Sequence, residues 1–195
     1  MIVKVLQECG FDHAMLGLSL SYRAPVENML PVAQRLAHRG GGENKFLESM
    51  IMWLDVQAPR YFWQEADTYR LSTKQSESTV HMIMKRELTV QDFQDGLDAM
   101  VLEKINEFIR AKDFRAVKRH LPESFLQRRV WCMSYKTLQN IWYQRCNHRL
   151  PEWHLFLGGV LIQIKHPEFI SKDLIERRPH ENPIRTDGDA GSTQS

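Results

Sequence analysis

Residues 67–81, DTYRLSTKQSESTVH, hold only two aliphatic side chains, Leu71 and Val80, in fifteen positions. A stretch so rich in hydrogen-bonding groups is poorly suited to a core, because each polar group taken from water without a partner costs free energy. It belongs at a surface. Six Ser or Thr hydroxyls stand there beside Tyr69, Arg70, Lys74, Gln75, Glu77 and His81, and no Gly or Pro marks a flexible connector. A solvated loop is one reading. The aromatic segment directly upstream, Ala58-Pro59-Arg60-Tyr61-Phe62-Trp63, argues for another, a fixed wall whose donors suit an anionic, oxygen-rich ligand.

At 195 residues and 23.0 kDa the chain fits one domain, able to bury a core without disulfides or metals. We expect that domain to span residues 1–170, with 171–195 a polar, flexible tail containing Pro179, Pro183 and the ending TDGDAGSTQS. No apolar run reaches the length needed to cross a bilayer, and MIVKVLQECGFDHAM does not read as a signal peptide. Cys9, Cys132 and Cys146 are odd in number and widely spaced, which argues for a reducing compartment, the cytoplasm. A net charge of +2 is too small to imply a nucleic-acid polymer as partner, although it permits an anionic ligand.

MIVKVL reads as a strand, and the alternation of LGLSLSY at 16–22 predicts a second. Val26, Met29, Leu30, Ala33, Leu36 and Ala37 have helical spacing that ends at Gly40-Gly41-Gly42. Ile51 to Val56 reads as a strand, and Pro59 opens a helix through Tyr61, Trp63 and Ala66. A helix capped by Thr89 is predicted with Val90, Phe93, Leu97, Val101, Ile105 and Phe108 along one stripe. A long helix is predicted from about 129 to 149, and Pro151 starts another through Trp153, Phe156 and Val160.

Several common chemistries find no support. Gly40 to Gly42 lack the context of a phosphate or dinucleotide loop. His148, Glu152 and His154 are interrupted by Pro151 and lack metal-ligand spacing. The cysteines have no base placed to activate them.

Three blocks remain: residues 42–49, residues 67–81 and residues 118–152. In their order and spacing the chain resembles the flavin-dependent thymidylate synthases, in particular divergent phage-like members. The family signature is Arg-His-Arg, seven residues, then Ser, and here Thr68-Tyr69-Arg70 is followed by seven residues and then Ser78. Glu48 lies twenty residues before Thr68, as the family's flanking glutamate lies before the first signature arginine. Leu121-Pro122 matches a family Leu-Pro, with Lys118 where an arginine contacts the nucleotide. Ser134, Lys136, Asn140 and Arg145 fall without gaps on Asn-x-Arg-x-x-x-Asn/His-x-x-x-x-Arg. The match covers about residues 1–165.

The resemblance implies an α+β fold with a mixed or antiparallel sheet and long helices. It implies FAD as cofactor, with methylenetetrahydrofolate and NADPH as co-substrates for converting dUMP to dTMP without an enzyme cysteine, in the cytoplasm of a bacterium or phage-infected host. Lys45, Glu48, Tyr69, Arg70, Ser134, Lys136 and Asn140 would hold the cofactor. Thr68, Gln75, Ser76, Ser78, Lys118 and Arg145 would hold the pyrimidine deoxynucleotide, with Ser78 and Arg145 at the chemistry. Lys136 and Arg145, nine residues apart, point to opposite sides of a helix, which suits the family's homotetramers with active sites between subunits. Thr68, Tyr69 and Val80 replace an arginine, a histidine and an arginine of the family pattern. Thr and Val cannot reproduce a guanidinium fork, so methylation or hydroxymethylation of dCMP is an alternative, as is a noncatalytic nucleotide-binding scaffold. His81, Lys85 and Arg86 can supply replacement charge.

Overall fold

The computed structural model describes residues 1–172. Ser171 is buried, and the rest of the expected tail, from residue 173 onward, lies outside the described residues. Four strands, β1 (Ile2–Cys9), β2 (Ile51–Pro59), β3 (Ser72–Ser76) and β4 (Leu126–Ser134), form one antiparallel sheet in the order β1-β2-β4-β3. The alternation of β2 fixes which face is covered. Met52, Leu54, Val56 and Ala58 are fully buried, and across the ladder Met133 and Trp131 of β4 lie opposite Met52 and Leu54. The other face carries Trp53, Asp55 and Gln57, with Arg128 holding Asp55 through two hydrogen bonds.

Helices cover the apolar face. Pro59 precedes α3 (Arg60–Ala66) and Pro151 opens α8 (Pro151–Leu161), as expected from the fixed φ of proline. Phe62, Trp63, Trp131, Trp153 and Phe156 pack there, with ring centroids of 4.6 Å for Phe62–Trp153 and 5.1 Å for Trp131–Phe156. Lys74 of the polar stretch also turns inward, its ammonium 4.8 Å from the Trp131 ring centroid and donating to the Tyr69 carbonyl and Ser72 hydroxyl. A smaller second core gathers Ile83, Leu88, Phe93, Ile105, Ile109, Val117, Leu121 and Phe125. It is pinned by buried Asn106, whose amide exchanges two hydrogen bonds with the Leu88 backbone.

Three expected elements differ. Residues 16–22 belong to α1 (Phe11–Tyr22), not to a strand. The helix buries Ala14, Met15, Leu18 and Ser19 and leaves Leu16 and Leu20 exposed, so the local alternation was a fragment of a helical stripe. The helix expected from Thr89 is split. Thr89 and Asp92 form a capping box around a single 3-10 turn at Val90–Asp92, Asp95 and Gly96 then take positive φ, and α5 (Ala99–Arg110) restarts on the Asp98 cap. Phe93 and Ile105 are buried, but Val90 and Val101 of the predicted stripe are exposed. The long helix over 129–149 is strand β4 followed by α7 (Tyr135–Arg145), with the Ser134 hydroxyl capping the junction by accepting from the Thr137 amide at 3.1 Å. The remaining helices are α2 (Met29–Ala37), the single turn α4 (Thr79–Met82) and α6 (Phe114–His120).

Candidate functional site

A cleft of about 450 Å3 opens where β4 hands over to α7. Ser134, Lys136, Thr137 and Asn140 line it from β4 and α7, Leu71, Ser72 and Thr73 from the start of β3, and Glu48 from the 3-10 turn at Lys45–Glu48. Lys136 and Asn140 are four apart on α7 and so share a face. The Thr137 hydroxyl donates to the Leu71 carbonyl at 3.0 Å and lies 3.2 Å from the Ser134 hydroxyl, which fastens the polar stretch to the start of α7. Ile51, Leu71 and Met133 supply apolar wall. The cleft therefore sets neutral polar groups, the Glu48 carboxylate and one lysine around a few apolar side chains.

A second cleft, of about 360 Å3, lies toward the other end of β3 and β4. Ser78 and Thr79 enter it from the start of α4, and Gln57, Glu77, Lys85 and Leu126 from around it. Ser78 caps α4 by accepting from the His81 amide at 3.3 Å, and Lys118 donates to the Thr79 hydroxyl at 3.1 Å. Arg86 is spent on a two-bond pair with Asp92 at 2.5 and 2.8 Å. Burial opposes charge on Asp92, but the bonds from Arg86 and Thr89 outweigh it and hold the carboxyl below its ordinary range. Lys85 joins no ion pair among the described residues, so its charge is available to a ligand.

The residues expected to form one site are thus divided. Glu48, Ser134, Lys136 and Asn140 come together in the first cleft; Ser78 lines the second, with Lys118 reaching Thr79 beside it. Arg145 lines neither. It pairs with Glu65 at 3.2 Å, donates to the Tyr69 hydroxyl at 2.9 Å and lies 5.0 Å over the Trp153 ring. Thr68 closes α3 by donating to the Glu65 carbonyl at 2.7 Å, while Lys45, Arg70, Gln75 and Ser76 are exposed outside both linings. His148 sits 3.7 Å from Glu65, buried Glu152 accepts from the Tyr61 hydroxyl, and His154 meets the Cys146 carbonyl, so these three serve separate contacts. Sequence reasoning missed Ser72, Thr73 and Thr137 as individual wall residues. The Ser-x-x-Thr spacing from Ser134 to Thr137 was the available sign of a helix cap at that position.

The chain is similar to two solved structures of the flavin-dependent thymidylate synthase ThyX from Helicobacter pylori, each holding FAD and dUMP. One gives a TM-score of 0.76 at 14% identity, covering 88% of this chain and 99% of that one. The other gives 0.77 at 13%, covering 90% and 100%. This chain has the flavin-dependent thymidylate synthase fold. No protein-family model matches the sequence, and no curated protein matches it either. The expected ThyX-like α+β architecture is therefore present, with its sheet antiparallel throughout among the described residues. Within them, no helix is long and apolar enough to cross a membrane.

Proposed function

We propose that the protein carries out FAD-dependent one-carbon transfer to a pyrimidine deoxynucleotide, converting dUMP to dTMP with methylenetetrahydrofolate and NADPH as co-substrates. The observation that carries this reading is the convergence of Glu48, Ser134, Lys136 and Asn140 on one cleft of a ThyX-like fold. At about 450 Å3 the cleft falls within the roughly 300–1,000 Å3 of small-molecule sites.

The lining fits a flavin. Leu71 and Ile51 can cover a flat ring, the Thr73 hydroxyl and the Asn140 amide can bond its polar edge, and Lys136 can neutralise a phosphate or a carbonyl edge. When bound, FAD supplies the hydride and carbon-transfer chemistry. The chain's own work is to orient and to neutralise. In the second cleft Lys85 and Ser78, with Lys118 reaching Thr79 beside it, suit a nucleotide phosphate; Arg86 and Asp92 neutralise each other, and Glu77 is the carboxylate left on the lining.

The two linings come nearest at β3, where Thr73 and Glu77 are four residues apart, or about 13 Å. A flavin ring held wholly in the first cleft would not stack on a pyrimidine held wholly in the second cleft of the same subunit. A homotetramer whose active sites combine the first cleft of one subunit with the second cleft of another removes that difficulty.

Glu77 favours a second reading, since its carboxylate on the nucleotide cleft can accept from the exocyclic amino group of dCMP. Purified protein is expected to show flavin absorbance and to transfer labelled carbon from methylenetetrahydrofolate to dUMP. Transfer to dCMP alone would move the assignment to the second reading. Flavin binding with no turnover on either nucleotide would make the protein a scaffold, and a colourless protein unable to take up FAD would end the proposal.

A further inference from the structure

We infer that Arg145 is a positioning residue that pins the corner at residues 69–71, and so the wall of the first cleft, instead of contacting a nucleotide. Its guanidinium is already used inside the subunit. Nη1 pairs with Glu65, Nε donates to the Tyr69 hydroxyl, and the guanidinium carbon lies 5.0 Å over the Trp153 ring centroid, leaving a side chain only 19% exposed. Glu65 is itself fixed, since its Oε2 accepts from the Trp153 indole at 2.8 Å. A phosphate approaching Arg145 would meet this carboxylate in the place it needs, and would have to break the charge-assisted bonds that the guanidinium already makes.

The same contacts explain a purpose. Arg145 is the last residue of α7 and Thr137 stands in its first turn. Thr137 holds the Leu71 carbonyl, and Arg145 holds the Tyr69 ring two residues earlier. The corner is therefore clamped to both ends of one helix. Leu71, Ser72 and Thr73 follow directly and form one wall of the first cleft. The Tyr69 hydroxyl completes the clamp by donating to Gln144 at 3.1 Å. Tyr69 stands where the resemblance places a histidine, so this hydroxyl contact is a feature of this chain's own sequence.

Hydrogen–deuterium exchange on wild type, Arg145→Ala, Arg145→Lys and Tyr69→Phe tests the pin without requiring turnover. Amides of residues 70–76 should exchange about tenfold faster in Arg145→Ala and to a lesser degree in Tyr69→Phe, while α5 and α6 stay unchanged. Arg145→Lys should restore part of the protection, because an ammonium keeps the Glu65 pair but not the fork. Unchanged exchange at 70–76 in both Arg145→Ala and Tyr69→Phe overturns the inference. If Arg145→Ala loses structure throughout, Tyr69→Phe, which deletes one hydroxyl, decides by the same criterion. The link to the flavin cleft rests on the proposed function and has its own readout. FAD affinity should fall about tenfold in Arg145→Ala while dUMP affinity stays within about twofold. The reverse pattern returns Arg145 to the nucleotide, whereas wild type that binds no FAD refutes the flavin reading and leaves the exchange result to decide the pin.

Discussion

Lys136 separates ligand binding from folding more cleanly than any other residue in the first cleft. It is half-buried, lines the cleft and joins no ion pair among the described residues, so the fold gains little from its charge. Lys136→Met keeps most of the stem and removes the ammonium. We expect FAD affinity to drop by about 1.5–3 kcal/mol, the range for hydrogen bonds to a charged group, with the melting temperature hardly moved. Fluorescence titration with FAD measures it, and an unchanged affinity would take Lys136 out of the site. Gly10 is the opposite case. It joins β1 to α1 at φ +92°, and a Cβ there would run into the Ser49 carbonyl. Gly10→Ala combines that collision with a left-handed backbone, a cost of at least about 1–2 kcal/mol, to be read from urea unfolding.

Contacts between elements make stability depend on pH. His38, just beyond α2, meets the Glu168 carbonyl through Nε2 at 2.8 Å and the Tyr143 hydroxyl through Nδ1 at 3.3 Å. This arrangement suits a neutral ring. Burial lowers its pKa below 6.5, and the bond to Glu168 offsets only part of that. The unfolded chain then takes up a proton at about 6.5 while the folded chain resists it, so His38's contribution is present above that pH and is lost as the pH falls below it. Thermal melts from pH 7 to pH 5 should fall less steeply in His38→Gln than in wild type, and parallel slopes would refute this. Elements of this kind also show what the sequence could reveal. β2, α3 and α8 were legible because alternation or a proline fixes them locally. β4 was not, because Val130-Trp131-Cys132-Met133 is apolar at every position and its pairing with β2 lies in distant residues. Lys136 and Asn140 were legible as a pair because four residues on a helix share a face. The Arg145–Glu65 pair was not legible, because Glu65 lies eighty positions earlier and no local spacing announces that contact.

At the scale of the whole molecule, the separation of the two clefts becomes a test of assembly. If an active site takes its first cleft from one subunit and its second from another, damage to the two clefts should complement. Lys136→Met disables the flavin side only, and a Ser78→Ala, Lys118→Met double variant disables the nucleotide side only. Each alone should be nearly inactive. After subunit exchange in an equal mixture, a given site draws both intact halves with a probability of one half for each, so about a quarter of wild-type activity should return. Native mass spectrometry of the mixture tests whether hybrids have formed and whether the assembly has four subunits. Hybrids that stay inactive would show that both halves must come from the same chain. One subunit would then have to bring the two ligands together across the roughly 13 Å between Thr73 and Glu77, the nearest linings of its own two clefts.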